Sequence, residues 1–300
     1  MMFNGFSHSV MGASHQKRNI VCQDSSAFKV GNGFAAAVVA DGHGSKKHFR
    51  SNVGSQAAVE AAVETIEQFY ADPDEFDKNF KVRHKSIVKC IEKQIIMRWN
   101  EKVLDHLAKN PVTPDELSKF KPEEFEEIPP ESYYGTTLVA AVAARDYTFG
   151  FQIGDGSLVA VFEDGETSMI MDYEESNPAN ITSSMCNALA ADMFDSFYVP
   201  NKKLLCICVS TDGLYTSFGS DNDFLDYHTI IAGQLANPDA FMGSLKNNLV
   251  KRSHFGTEDD ISLSCVYDEE LAKANNDVIK AKIAENKRLA AERRASVLKR

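Results

Sequence analysis

Four short stretches of the chain set an apolar or alternating segment against a carboxylate with a small residue beside it. They are FAAAVVADGHG (34–44), FQIGDGS (151–157), LLCICVSTDGLY (204–215) and GTEDDISLSCVY (256–267). A strand that ends in Asp-Gly presents its carboxylate at the rim of a sheet, and the glycine lets another group approach the backbone closely. A single Asp-Gly is ordinary hairpin chemistry. Asp41 and Asp212 both follow buried-strand signals, and Asp155 and Asp259 repeat the placement at the edges of other strands. Four rims of one site is the more economical reading. Carboxylates gathered without accompanying Cys or clustered His favour Mg2+ or Mn2+ over zinc or copper.

The organisation around these rims is mixed. Residues 5–40 alternate, carry Gly-rich turns and predict three strands. Ser51–Tyr70 and Phe76–Leu107 have helical spacing, the second with Ile87, Ile91, Ile95, Trp99 and Val103 on one face. Pro111–Pro130 is acidic and punctuated by proline, which predicts a connector of loops or short helices. TTLVAAVAA, YTFGFQIG, SLVAVFED and ETSMIMD, between Gly135 and Asp172, read as a four-stranded meander. Leu204–Ser210 is a further strand, Asp223–Gln234 and Asp239–Lys251 are helical, and Ile261–Tyr267 closes with a strand. Runs of strands interrupted by helices predict antiparallel sheets with helices packed outside, not a doubly wound parallel sheet.

Composition narrows the function. The net charge of −11 argues against nucleic-acid binding by the body of the protein. The longest apolar runs, Phe34–Ala40 and Leu138–Ala144, are far short of the ~18 residues of a membrane span. MMFNGFSHSV has neither the basic nor the apolar region of a secretory signal. The six cysteines show no C-x-x-C pair and no zinc-type His spacing, and three lie in apolar strand-like runs. They are most simply buried thiols of a reducing cytoplasm, which sets the expected localisation. From residue 269 the chain contains no Gly or Pro and turns basic, with eight Lys/Arg against two Glu over Lys280–Arg300. We divide the chain into a catalytic-type domain at 1–268 and a charged helical tail at 269–300. The thin apolar stripe of that tail (Leu271, Ala274, Val278, Ile283, Leu289) leaves two readings open, a solvated helix or one that docks a partner.

Two divalent ions ~3.5–4 Å apart would lower the pKa of a water between them and offset charge on a transferring phosphoryl group. A nearby mobile His can protonate a leaving oxygen. At this point a resemblance becomes specific. The ordered set Q-D (23–24), D-G-H-G (41–44), G-T-T (135–137), G-D-G (154–156), S-T-D-G-L (210–214) and D-D-I-S (259–262) resembles the metal-dependent type-2C serine/threonine protein phosphatases, the PPM family. It covers about residues 5–268. Each motif alone is weak, and six in the family's order are strong.

The resemblance implies an α+β fold, a four-layer αββα sandwich of two mainly antiparallel sheets flanked by helices. It also implies a centre of two Mn2+ or Mg2+ ions, with a third held more loosely. Asp41 would bridge the two metals and Gly42 would offer its carbonyl. Asp212 and Asp259 would complete one metal, Asp24 would face the other, and Asp155 matches the aspartate of the third. His43 matches the general acid. Thr136 and Thr137 read as packing beneath the site. The implied activity is hydrolysis of phosphoserine or phosphothreonine in protein substrates by a metal-bridged water, without a phosphoenzyme.

The chain departs from the family's pattern in places. Many members carry a phosphate-gripping Arg a few residues before the first acidic motif. SHQKRNIVCQD (14–24) offers only His15 or Arg18 for that role. Gln23 stands where many relatives have Glu, and G-D-G-S (154–157) replaces G-D-S-R. With S-N-P-A-N-I-T (176–182), these features resemble the divergent bacterial branch of the family. His15 also fits a buried hydrogen-bonded histidine, and Arg18 a plain surface charge. No C-x5-R thiolate loop, no G-x4-G-K-[ST] and no H-E-x-x-H occurs. The remaining alternative is a catalytically silent, phosphatase-like binding domain, whose mark would be loss of the metal carboxylates. A nucleic-acid role for the basic tail is disfavoured, since no aromatic residue is interleaved with its charges.

Overall fold

The computed structural model describes residues 2–171, 182–200 and 203–297. Ten strands form two five-stranded sheets. The first sheet runs β1 (Phe3–Val10), β10 (Ile261–Asp268), β9 (Leu204–Ser210), β6 (Ser157–Phe162), β7 (Thr167–Met171). The second runs β2 (Ser25–Val30), β3 (Phe34–Ala40), β4 (Leu138–Ala144), β5 (Tyr147–Ile153), β8 (Asp195–Pro200). All the strand pairings are antiparallel. The α+β sandwich expected from the sequence is the observed fold.

The apolar pattern explains the layers. The strands β3 (FAAAVVA) and β4 (LVAAVAA) are buried along their whole length, so both faces are covered. One face of each sheet meets the other sheet through Val39, Val139, Ile207, Val209 and Val266. The outer face of the second sheet takes α2 (Ser51–Phe69) and α3 (Pro73–Lys109). Ala57, Ala58, Ala61 and Ala62 of α2 lie against the Ala-rich strands, and small residues on both sides let helix and sheet approach closely. Ile91, Ile95, Trp99 and Val103 of α3 are buried as their spacing predicts, and the Trp99 indole donates to the Gly54 carbonyl at 3.0 Å. The outer face of the first sheet takes α7 (Asp221–Ala232) and α8 (Asp239–Arg252).

Three expectations need correction. The four strands after Gly135 are not one meander, because β5 and β6 belong to different sheets. Gly154, at φ +108°, turns the chain across the sandwich there, a conformation L side chains rarely adopt. The strand β8 (DSFYVP) was not foreseen. It is a half-exposed edge strand ending in proline, so its apolar alternation is weak. A short helix, α1 (Ala13–Arg18), also lies between the first two strands.

The connector holds two short helices, α4 (Pro114–Leu117) and α5 (Pro122–Glu126). In the tail, α9 (Glu269–Ala274) and α10 (Asn276–Val297) bury Ala272 and Ile279, not the expected Val278, which is exposed. Ile279 and Ile283 join the core beneath α7, and Arg293 pairs with Asp226 of α7 at 3.4 Å. No helix among the described residues is long and apolar enough to cross a membrane. The six cysteines are free thiols.

Candidate metal centre

Asp41 follows β3 directly and is fixed by the residues that open β4. The Thr137 hydroxyl accepts the Asp41 N–H at 3.0 Å, and the Thr136 hydroxyl donates to the Asp41 carbonyl at 2.7 Å. The Thr137 N–H donates to the same carbonyl at 2.8 Å. Gly42 follows at a crossing of three backbones. Its N–H donates to the Gln23 carbonyl at 3.1 Å. A Cβ there would stand 2.7 Å from both the Gln23 and the Ser51 carbonyl oxygens. Glycine is therefore required for the Q-D segment, the D-G-H-G loop and the start of α2 to meet.

The other carboxylates come from four more elements. Asp24 precedes β2 and is buried, accepting from the Thr211 hydroxyl at 2.8 Å. Asp212 begins the short helix α6 (Asp212–Tyr215) one residue beyond β9. Asp155 sits in the crossover between β5 and β6 and accepts from the Thr182 hydroxyl at 2.8 Å. Asp259 lies in the turn before β10, exposed, with its carboxylate accepting the Asp260 N–H at 2.9 Å.

Their charges act on one another. Burial pushes the Asp41 carboxyl well above the usual range, and Asp24, Asp212 and Asp155 add to it. Asp24 is raised by burial, then by Asp260 and Asp212. Asp212 is pushed up to about 6, first by burial and then by Asp155, with Asp259 adding and a hydrogen bond to Asp41 opposing. The chief charged influences on all three are other carboxylates; no Lys or Arg figures among them. Buried like charges of this density need cations or protons to persist. The all-oxygen donor set fits Mg2+ or Mn2+.

His15, Arg18, Asp41, Gly42, His43 and Asp259 line one open cavity of ≈ 430 Å3. Asp24, Asp155 and Asp212 do not line it; their charges act on Asp41, which does. His43 donates its N–H to the Gly135 carbonyl at 3.1 Å, and its ring lies 5.0 Å from that of His48. Burial pushes the His43 imidazole down to about 4, with His48 and Lys47 adding. Arg18 is exposed at the cavity mouth, its guanidinium held loosely to Ser14 of its own helix at 3.3 and 3.4 Å. His15 is buried, and its Nδ1 stands 3.0 Å from both oxygens of Asp260.

Asp260 was missed as a site residue. Besides His15, it accepts the Gly12 N–H at 2.5 Å and the Gln23 N–H at 2.6 Å, so one buried carboxylate ties α1 and the Q-D segment to β10. The doubled aspartate of D-D-I-S was the available signal, but nothing local says which carboxylate turns inward. His48, whose Nδ1 meets the Ser132 carbonyl, carried no motif at all. The N-P-A-N-I segment lies at 177–181, outside the described residues.

The family model described as protein phosphatase 2C matches residues 11–251 of this chain, ending before Asp259. Among solved structures, PppA of Pseudomonas aeruginosa, described as a key regulatory component of T6SS, superposes with a TM-score of 0.57 at 17% identity, covering 89% of this chain and 98% of that one. The S. agalactiae serine/threonine phosphatase gives 0.54 at 16% identity, covering 89% and 99%. Serine/threonine phosphatase Stp1 from Staphylococcus aureus gives 0.52 at 15%, covering 90% and 96%. At such identities these likenesses speak for the fold. No curated protein matches the sequence. The family match spans most of the chain, the shared fold extends over nearly all of it, and the chain belongs to the protein phosphatase 2C family.

Proposed function

We propose that the protein is a divalent-metal-dependent phosphatase of phosphoserine and phosphothreonine in proteins. The observation that carries this reading is Asp41, which lines the open cavity and whose chief charged neighbours are the carboxylates of Asp24, Asp212 and Asp155. Asp24, Asp41, Asp212 and Asp259, with the Gly42 carbonyl, would hold two Mn2+ or Mg2+ ions, and Asp155 a looser third. Bound there, such ions supply a water of lowered pKa and offset the charge of the phosphoryl group.

The chain's own residues do the rest. Arg18 is an exposed cation at the cavity mouth, held only to Ser14 of its own helix, and can meet a substrate phosphate as a bidentate partner. His15 serves by position, since its Nδ1 is committed to Asp260, and holds α1 and Arg18 at the rim. His43 faces the cavity and hands a proton to the leaving oxygen. Burial, with His48 and Lys47 adding, keeps it unprotonated in the resting site, so it takes up its proton from solvent when an arriving phosphate dianion raises its basicity. The thin grip on phosphate, one exposed Arg, suits a large substrate that is held mainly by its protein body.

Phosphate release from a phosphothreonine peptide tests this reading, with Mn2+, with EDTA, and with the Asp212→Asn variant. Turnover should need Mn2+, vanish in EDTA, and fall about 10^3-fold or more in the variant, a loss of several kcal/mol of transition-state stabilisation. Wild-type rates from Asp212→Asn would sink the assignment. Folded protein inactive at every metal concentration would leave the binding-domain alternative standing.

A further inference from the structure

A second cluster of metal-ligating side chains lies far from oxygen chemistry, in the middle of the first sheet. Cys208 of β9 is paired in register with Cys265 of β10. Cys206, two residues before Cys208, points to the same face. All three are buried, and their sulfurs lie within 4.8 Å of one another. They belong to the layer beneath α7, with Phe224, Tyr227 and Ile231, not to the layer between the sheets.

His228 of α7 is fully buried in that layer. Its Nδ1 stands 2.8 Å from the Phe224 carbonyl, which can only accept, so Nδ1 carries the proton. That leaves Nε2 as a bare lone pair, and it is buried with no hydrogen-bond partner. An orphaned imidazole nitrogen in an apolar core is costly. Nδ1–H on a backbone carbonyl with Nε2 bare is also how a metal-ligating histidine is oriented. Cys208 lies near enough for its charge to act on His228, raising its basicity against the burial that lowers it.

We propose that Cys206, Cys208, Cys265 and His228 form a buried Cys3His site for zinc. Tetrahedral zinc with bonds to sulfur of ~2.3 Å needs sulfurs about 3.8 Å apart. The three sulfurs lie within 4.8 Å of one another, while His228 stands beyond that distance from at least one of them, so its ring must shift toward the thiols on loading. Three thiolates, one neutral imidazole and Zn2+ leave one net negative charge. Arg252, stacked 3.8 Å over the Phe218 ring and 4.5 Å over Tyr227, is the cation that faces this layer. Its charge acts directly on His228. Loading releases three thiol protons to solvent and takes place as the chain folds, since the finished site is enclosed. The site would clamp β9, β10 and α7 together, and it stands independently of the phosphatase reading.

The test uses the full chain from zinc-supplemented cells, dialysed exhaustively against EDTA to strip the carboxylate rim. Metal analysis should find about one zinc per chain in the wild type and in Asp212→Asn, and none in Cys208→Ala. Chain refolded with Co2+ should show the intense charge-transfer absorption of thiolate ligands. This second measurement needs no variant and decides the matter if Cys208→Ala fails to fold. Wild-type protein free of zinc with six titratable thiols, a Co2+ spectrum showing only oxygen ligation, or zinc retained undiminished in Cys208→Ala would each overturn the proposal.

Discussion

Carboxylates are used in opposite ways on the two sides of the D-G-H-G loop. At the rim, Asp24, Asp41 and Asp212 face other carboxylates, and all three are pushed up in pKa. On the other side, Glu116 of α4 faces Arg50, at 2.8 Å from Nε to one oxygen and 2.9 Å from Nη2 to the other, and is pushed down to about 2. The remaining guanidinium donors go to the Asn110 and Pro111 carbonyls and the Tyr134 hydroxyl. The Arg50 clamp is electrostatically complete in the polypeptide alone, and the rim is not. A protein keeps an incomplete charge cluster where something else is meant to complete it.

The contrast meets at His43. Its N–H is held by the Gly135 carbonyl, at the end of the segment that the Arg50 clamp fixes through Tyr133 and Tyr134, while its ring faces the rim cavity. If His43 protonates the leaving group, His43→Ala should cost about 10^2–10^4-fold on alkyl phosphates and far less on p-nitrophenyl phosphate, whose leaving group hardly needs a proton. Equal losses on both would reduce His43 to part of the scaffold that the clamp supports.

Asp212→Asn sharpens the comparison through stability. Asp212 titrates near 6 in the folded chain, above its ordinary value of 3.8. Between those values the folded state holds a proton that the unfolded state has lost, so metal-free stability falls as pH rises through this window. The Asn variant has no such group. Without metal at pH 7 it should be more stable than wild type, by up to about 2 kcal/mol in urea melts, even as it loses activity. A metal-free variant that is less stable than wild type would mean that the rim carboxylates do not repel as placed.

How much of this could be read from the chain follows from range. The placement of Asp41, Gly42, Asp155 and Asp212 just beyond strand ends was legible because that chemistry is local, and glycine marks close approach. Both helices over the second sheet were legible from period alone. The split of β5 and β6 between sheets was not, since alternation says that a segment is a strand and not which partner it takes. Asp260 escaped because its pairing with His15 spans 245 residues. The three thiols read as unrelated core residues for the same reason. Only the register of β9 on β10 puts Cys208 opposite Cys265, and only the packing of α7, through Phe224, Tyr227 and Ile231, carries His228 into the same layer.

The smallest expected effect is at the clamp itself. Glu116 also closes the start of α4, accepting the Thr113 N–H at 2.8 Å and hydroxyl at 3.0 Å, so Glu116→Gln weakens the clamp without emptying it. Its folded pKa lies below the ordinary 4.5, with the Arg50 hydrogen bonds as the main cause. The sign is therefore opposite to that of Asp212. The contribution is whole above pH 4.5 and is lost as pH falls toward 2, because protonation costs the folded state more than the unfolded one. Near neutrality Glu116→Gln should cost about 1–2 kcal/mol, the scale of charge-assisted hydrogen bonds on a partly exposed group. The difference from wild type should shrink as the melts are taken below pH 4, while phosphatase turnover near neutrality changes little. A variant that loses turnover in proportion to Asp212→Asn would show that the clamp is part of the rim, and that the two regions are one device.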